Sequence, residues 1–206
     1  MKHEFELKAA LADGGVSLRR RMAAAGWRLI FEGEMSDRRY DTPGRSLEGR
    51  DEVLRVRRMT AAGEHRVVLG WKGPASERLG YKVRAEAETP VGDAETTVRI
   101  LERLGFTEIS LAIDRRVELY EKGGVRVRIE AYPRMDTLVE IEGDPHAVDE
   151  RLPELGLPRE AWKPWGLPEF VCRYEERTGL TARLATAAAD NGPAADDDGP
   201  AAADDG

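Results

Sequence analysis

The sequence predicts an α+β fold: an eight-stranded antiparallel β-barrel, or tunnel, with helices packed on its outside. Three observations predict it. Eight segments alternate apolar and polar residues with the period of two that is typical of strands, short turns separate several of them, and helical segments fill the remaining gaps. Because a sheet of about eight twisted strands tends to close on itself, one face of these strands is expected to enclose a lumen.

The predicted strands are, in chain order, residues 3–9, 27–41, 52–60, 64–72, 79–88, 111–121, 125–132 and 136–142. The turns at 61–63, 72–74, 122–124 and 133–135 are short enough for antiparallel hairpins. Helices are predicted at 17–25, 93–104, 145–155 and 168–179. Ser17 is a candidate N-cap of the first helix, and Gly105 and Gly179 are candidate ends of the second and fourth.

The composition predicts one domain, residues 1–180, followed by a disordered acidic tail, residues 181–206. Residues 190–206 contain only Ala, Asp, Gly, Pro and one Asn, which cannot bury enough apolar surface to offset the entropy of ordering. Six Asp in this stretch account for most of the formal net charge of -7. The body of the protein is therefore near neutral, and a polyanionic ligand is not excluded.

Cysteine and histidine content excludes several classes of protein. The single cysteine, Cys172, excludes a disulfide framework, and the three histidines are too scattered for a His/Cys zinc site. No apolar run reaches the roughly 18 residues of a membrane-spanning helix, and the charged N-terminus is unlike a signal peptide. We therefore expect a cytoplasmic protein without a membrane partner.

The second face of the predicted strands carries charges of both signs. Residues i and i+2 of a strand share a face, so each strand can be divided into two faces. One face is apolar, and the other carries Lys8, Arg55, Arg57, Lys72, Arg84, Arg116, Arg126 and Arg128 together with Glu4, Glu6, Glu86, Glu88, Glu118, Glu130, Glu140 and Glu142. For any single strand, an ordinary sheet with one wet face is the favoured explanation of the pattern. Closure of the whole sheet would place these charges in a tunnel.

The charges of such a tunnel predict what it contains. Enclosed charges are costly unless water, a metal or a charged ligand compensates them. Lys and Arg match phosphate oxygens, and Glu supplies the hard oxygen ligands that Mg²⁺ or Mn²⁺ requires. Because carboxylates alone would repel a polyphosphate, the mixture predicts a metal-bound polyphosphate.

Several blocks of sequence then resemble one family. Residues 4–8 (EFELK) match the ExExK signature of CYTH proteins, the triphosphate tunnel metalloenzymes, which include class IV adenylate cyclases, thiamine triphosphatases and inorganic triphosphatases. Further family-like blocks follow in order: DRRYDTP at 37–43, LRVR at 54–57, WKGP at 71–74, RAEAE at 84–88 and VEIEG at 139–143. The resemblance spans residues 3–143, and the C-terminal helices resemble the family more loosely.

The resemblance implies a tunnel that binds a triphosphate with Mg²⁺ or Mn²⁺. It implies metal-binding roles for Glu4, Glu6, Glu140 and Glu142, assisted by Glu86, Glu88 or Glu130, and catalytic roles for Glu4, Glu6 and Lys8. It implies phosphate-binding roles for Lys8, Arg55, Arg57, Lys72, Arg84, Arg116, Arg126 and Arg128. Residues 113–116 fit the family pattern imperfectly, and alternation with Val117 and Leu119 favours Arg116 over Arg115 as the inward residue.

Three functions follow from the resemblance. A metal-dependent triphosphatase, acting on inorganic triphosphate or on the triphosphate tail of an organic substrate, is favoured. A class IV-type adenylate cyclase is the alternative, although its relatives carry a His-Phe pair upstream of the signature, whereas His3 here adjoins it. A noncatalytic polyphosphate-binding module ranks third, because the metal-binding carboxylates are present.

The expected partner is accordingly a small molecule that contains a triphosphate. Nucleic acid is not expected, because the cations alternate with acids and no aromatic platform interleaves them. A homodimer is compatible with the sequence, but no pattern specifies one.

Overall fold

The structure, a computed structural model, describes residues 2–186 and forms a closed antiparallel barrel. Its strands are β1 (Lys2–Leu11), β2 (Arg28–Asp41), β3 (Val53–Ala61), β4 (Glu64–Lys72), β5 (Ser76–Arg78), β6 (Tyr81–Val91), β7 (Thr107–Lys122), β8 (Val125–Ala131) and β9 (Thr137–Glu142). Eight of them pair in the order β1-β9-β8-β7-β2-β3-β4-β6, and β6 pairs back to β1 to close the barrel. The predicted eight-stranded antiparallel barrel is confirmed.

Four helices pack outside the barrel: α1 (Val16–Ala24), α2 (Ala94–Arg103), α3 (Pro145–Leu155) and α4 (Leu167–Thr178). All four lie within one residue of their predicted bounds. The predicted N-cap of α1 is wrong. Ser17 lies inside the helix, and Gly15 is the N-cap residue with a left-handed backbone (φ 90°). The Asp13 side chain instead accepts hydrogen bonds from the backbone N–H groups of Gly15 and Ser17, at 3.0 and 2.8 Å.

One short strand was not predicted. β5 comprises only three residues and pairs with the start of β6, beyond the point where β4 ends. A three-residue strand is too short to show a period of two. The strand β7 also begins four residues earlier than predicted, and its pairing with β2 is irregular between Asp37 and Arg39.

The apolar core lies between the outer face of the barrel and the helices. Leu7, Val127 and Ile141 of the barrel pack with Met22 of α1 and Leu152 of α3 in the main core cluster. A second, smaller cluster joins the outer faces of β2 and β3 to α2. Because the apolar faces of these strands pack against the helices on the outside, their polar faces line the lumen.

The chain after α3 packs at the end of the barrel where β1 finishes. The backbone N–H of Lys8 donates to the carbonyl oxygen of Lys163 at 2.9 Å, and the N–H of Lys163 donates back at 2.8 Å. Trp162 is buried in the main core, and Trp165 packs edge-on against Phe170 of α4. Leu167, the first residue of α4, reaches the lumen.

The body of the protein continues to Thr186. Residues 181–186, which the sequence analysis assigned to the tail, follow the barrel: Arg183 forms a bridge with Arg134, and Thr186 contacts Asp114. The remainder of the predicted tail, residues 187–206, lies outside the described residues. Within residues 2–186, the helices are all too short or too polar to cross a membrane.

Candidate functional site in the barrel lumen

The lumen is a polar cavity enclosed by the inner faces of the strands. Its lining combines nine cations with four carboxylates, so it carries an excess of positive charge. The cations are Lys8, Arg39, Arg55, Arg57, Lys72, Lys82, Arg84, Arg115 and Arg128, and the carboxylates are Glu6, Asp37, Glu130 and Glu140. Val53, Ile113, Tyr132 and Leu167 complete the lining.

Most of the candidate residues from the sequence lie in or beside this lumen. Nine of them line it: Glu6, Lys8, Arg55, Arg57, Lys72, Arg84, Arg128, Glu130 and Glu140. Glu4 and Glu86 lie against the ammonium group of Lys72. The half-exposed Glu88 pairs with Arg55, with 2.5 Å between Oε1 and Nη2.

Two further candidates lie at the opposite end of the barrel, where β1 begins. Glu142 and Arg126 line a separate opening there together with His3 and Glu4. The side chain of Arg126 is 48% exposed and lies 3.8 Å from Glu142. Arg126 therefore belongs to a mouth of the tunnel rather than to its interior.

Arg116 is not a lumen residue, and this prediction is wrong. Its side chain is 64% exposed and pairs with Glu32 at 2.8 Å on the outside of the barrel, whereas that of Arg115 is 5% exposed and lines the lumen. The sequence analysis had assumed that Val117 faces outward under a helix. On β7 the outer face is polar instead, so the fully buried Val117 shares the inner face with Arg115.

The sequence analysis missed four lumen residues: Asp37, Arg39, Lys82 and Arg115. A signal was available for two of them. Arg39 follows Asp37 by two residues within a family-like block, and Lys82 precedes Arg84 by two residues on the same strand, so alternation places them on the inner face. Asp37 is the first residue of that block and lies inside β2.

Ion pairs hold most of the lumen side chains in place. Glu130 accepts from Nε of Arg115 at 2.8 Å and from the hydroxyl of Tyr132 at 2.9 Å. Glu140 pairs with both Lys8 and Arg128. Glu6 accepts from Lys82 at 2.7 Å, and although burial raises the pKa of Glu6, the surrounding cations outweigh it and lower that pKa.

Several buried guanidinium nitrogens lack a hydrogen-bond partner within the described part of the chain, although their side chains form ion pairs. Nε of Arg55, Nε of Arg84 and Nη1 of Arg115 are buried without a hydrogen-bond partner among residues 2–186. Burial and the neighbouring guanidinium groups of Arg55, Arg84 and Arg115 lower the pKa of Arg39. Buried polar groups are normally hydrogen-bonded, so these donors are available to a ligand or to water in the lumen.

The carboxylates also include a like-charged pair. Burial raises the pKa of Glu86, and the negative charge and hydrogen bond of the adjacent Glu4 oppose its ionisation further, against the lowering effect of Lys72. Two facing carboxylates are hard oxygen donors whose repulsion a divalent cation relieves. Residues 2–186 contain no group of three His, Cys, Asp or Glu arranged to hold a metal. The Glu4–Glu86 pair supplies the kind of oxygen donors that Mg²⁺ or Mn²⁺ takes, and a cation bound there would need further ligands from outside these residues.

The fold and this lining together define a class of protein: a closed antiparallel barrel whose lumen is lined by charged side chains with an excess of cations. The family model of the CYTH domain matches residues 2–146, and the chain belongs to that family. The resemblance that the sequence motifs indicated is thereby confirmed.

Solved structures with the same fold come from several organisms. The PH1819 protein of Pyrococcus horikoshii OT3 is 25% identical, with a TM-score of 0.68 over 82% of this chain and 98% of that one. A candidate adenylate cyclase from Vibrio parahaemolyticus is 20% identical, with a TM-score of 0.69 over 83% and 98%. HpAC1 from Hippeastrum, a candidate adenylyl cyclase with a dominant triphosphatase activity, is 16% identical, with a TM-score of 0.59 over 89% and 99%. Among the curated proteins, none matches this sequence.

Proposed function

We propose that this protein is a divalent-metal-dependent triphosphatase that hydrolyses inorganic triphosphate, or the triphosphate tail of an organic substrate, inside its lumen. The observation that carries the proposal is the set of buried guanidinium N–H groups on Arg55, Arg84 and Arg115 that lack partners among residues 2–186. Guanidinium groups match phosphate oxygens in charge and in the direction of their N–H donors. A chain of phosphates would satisfy several of them at once.

The phosphate chain would be bound by cations from most strands of the barrel: Lys8, Arg39, Arg55, Arg57, Lys72, Lys82, Arg84, Arg115 and Arg128. Arg126 would attract the substrate at one mouth. Because all of these side chains except Arg39 are held by ion pairs before the ligand arrives, little reorganisation is needed as charge develops in the transition state. Hydrolysis then requires positioning and charge stabilisation rather than a covalent intermediate.

Mg²⁺ or Mn²⁺ would be held by the adjacent carboxylates of Glu4 and Glu86 together with oxygens of the substrate, with Glu6, Glu88, Glu130, Glu140 and Glu142 as further carboxylates nearby. A bound divalent cation supplies charge neutralisation at the phosphate oxygens and lowers the pKa of coordinated water. The protein's own contribution is to orient the terminal phosphorus and to exclude bulk water. In the reaction a bond forms between the water oxygen and the terminal phosphorus, and the bridging P–O bond breaks to release phosphate.

The test is an assay of the full-length protein with Mg²⁺ or Mn²⁺ and with tripolyphosphate, ATP or thiamine triphosphate, following phosphate release and cyclic AMP together. The Glu4→Gln/Glu6→Gln variant serves as the inactive control. Glu32→Gln, which removes an exposed carboxylate outside the barrel, serves as the matched control. Phosphate release that disappears only in the lumen variant supports the proposal and ranks the substrates.

Two other outcomes would replace the proposal. Cyclic AMP formed from ATP without comparable phosphate release would establish an adenylate cyclase. Tight binding of tripolyphosphate with neither product would establish a binding module.

A further inference from the structure

Asp37 is a buried carboxylate at the centre of the cationic lumen. Only 3% of the residue is exposed, and arginines surround the carboxylate. Oδ1 accepts from Nε of Arg57 at 2.7 Å, and Oδ2 accepts from Nη2 of Arg57 at 2.9 Å and from Nη2 of Arg115 at 3.1 Å. Nη1 of Arg55 lies 3.7 Å from Oδ2. One carboxylate thus contacts three guanidinium groups.

The strand order explains how Asp37 reaches all three. β2 lies between β3, which carries Arg55 and Arg57, and β7, which carries Arg115. Asp37 lies directly opposite Arg57 of β3 on one side and Ile113 of β7 on the other. Its carboxylate therefore joins the arginines of two strands that do not pair with each other.

The two carboxylates that hold Arg115 leave part of its guanidinium group free. Asp37 accepts a hydrogen bond from Nη2 of Arg115, and Glu130 accepts one from its Nε. Its Nη1 is buried without a partner among residues 2–186. Tyr132 in turn donates its hydroxyl hydrogen to Glu130. Arg115 is thus fixed from two sides, with one nitrogen left for a ligand.

We propose that Asp37 is a positioning residue of the phosphate site: it holds Arg55, Arg57 and Arg115 at the spacing that a polyphosphate requires. This inference rests on the proposed function. The competing explanation is that Asp37 acts only as a counter-ion that reduces the positive charge of the lumen. The two explanations predict changes of opposite sign, because loss of a mere counter-ion would strengthen the attraction of an anion.

The experiment compares Asp37→Asn with Asp114→Asn in the full-length protein. Asp114 is a matched control because it also joins β7 to β2, through Arg38 at 2.7 Å, but it is not part of the lumen lining. Tripolyphosphate binding is measured by calorimetry in EDTA, and KM and kcat are measured by phosphate release with Mg²⁺. All measurements are made well below the unfolding temperature of each variant.

We expect Asp37→Asn to bind tripolyphosphate at least about tenfold more weakly, which is the scale of one charge-assisted hydrogen bond. The increase in KM should be a larger factor than the decrease in kcat. Asp114→Asn should bind within about twofold of wild type. Equal or tighter binding by a folded Asp37→Asn variant overturns the inference. If that variant does not fold, Asp37→Glu keeps the charge but displaces the carboxylate by one methylene, and wild-type affinity in that variant overturns the inference instead.

Failure of the proposed function gives a different result. In that case the wild-type protein itself releases no phosphate from tripolyphosphate, whether or not it binds it. A wild-type protein that binds, combined with an Asp37→Asn variant that binds equally well, rejects only the positioning role.

Discussion

Arg39 of β2 and Arg55 of β3 are direct cross-strand partners, and both side chains line the lumen. Like charges directly opposite each other in a sheet destabilise it. Arg55 is compensated by Glu88 and Asp37, whereas no carboxylate lies within 4.0 Å of the Arg39 guanidinium in the described part of the chain. The barrel therefore maintains an unfavourable pair of cations at the point where an anion would compensate both.

The first prediction concerns Arg39. Arg39→Gln should raise the thermal stability of the ligand-free protein, because burial opposes the charge of Arg39 and Arg55, Arg84 and Arg115 repel it, and together these outweigh the attraction of Asp37. The same change should raise KM for tripolyphosphate by about tenfold or more, the effect of losing a charged hydrogen bond. Thermal unfolding without ligand and steady-state phosphate release measure the two effects.

The neighbouring arginine provides a control for Arg39. Arg38 pairs with Asp114 outside the lumen, so Arg38→Gln should lower stability slightly and leave KM unchanged. If Arg39→Gln instead destabilises the ligand-free protein as Arg38→Gln does, the repulsion described above is not significant.

The second prediction separates Arg115 from Arg116. Arg115→Gln leaves Asp37 and Glu130 without a shared partner in the lumen, and kcat/KM should fall by about 100-fold or more. Arg116→Gln removes an exposed pair with Glu32 and should change the free energy of unfolding by less than about 0.5 kcal/mol, with no change in kcat/KM. Steady-state kinetics and urea unfolding of both variants check this, and a loss of activity in Arg116→Gln would contradict the orientation of β7.

The third prediction concerns the contact between Glu4 and Glu86. Because burial and Glu4 together oppose the ionisation of Glu86 by more than Lys72 favours it, Glu86→Gln should raise the unfolding temperature of the metal-free protein. Mn²⁺ at about 100 times its Kd should stabilise the wild type by roughly 2.7 kcal/mol, and the variant by much less at the same concentration. Thermal unfolding with and without Mn²⁺ measures both effects, with Glu32→Gln as the control. Equal stabilisation of Glu86→Gln and wild type would exclude Glu86 from the metal site.

Most of the fold could be predicted from local sequence patterns. Alternation and hairpin turns located the eight barrel strands, and the helix-ending Gly105 and Gly179 placed α2 and α4 to within one residue. The short strand β5 could not be predicted, since three residues define no period. The start of β7 was also missed, because its pairing with β2 is irregular and the alternation is interrupted there.

The site was predicted less completely, for a different physical reason. Alternation divides a strand into two faces, but it does not say which face is inner. On β8 the apolar face lies outside beneath α1 and α3, whereas on β7 the fully buried Val117 lies on the inner face. The assignment of Arg115 therefore depends on which strands the helices cover, and only the tertiary structure specifies that. The same is true of the contacts that Asp37 makes across two strands.

The last prediction concerns pH and the stability supplied by Asp37. Burial opposes its charge, but Arg57, Arg115 and Arg55 outweigh burial and hold the pKa of Asp37 well below its ordinary value. A carboxyl group whose pKa is lower in the folded than in the unfolded state contributes stability that is fully present above the unfolded pKa, about 3.9, and is lost as the pH falls through the folded pKa. Asp37→Asn should therefore lower the free energy of unfolding by about 3 kcal/mol at neutral pH, the effect of breaking a buried ion pair.

This difference between wild type and Asp37→Asn should remain constant from neutral pH down to about pH 4 and then shrink as the pH falls further. Urea unfolding of both proteins at a series of pH values measures it. Asp114→Asn should show a smaller difference throughout, because Asp114 is less buried and its main ion pair is with Arg38 alone. A difference that stays constant to the lowest pH at which both proteins fold would contradict the low pKa of Asp37. Such a result would also mean that Arg55, Arg57 and Arg115 do not stabilise the ionised form of Asp37.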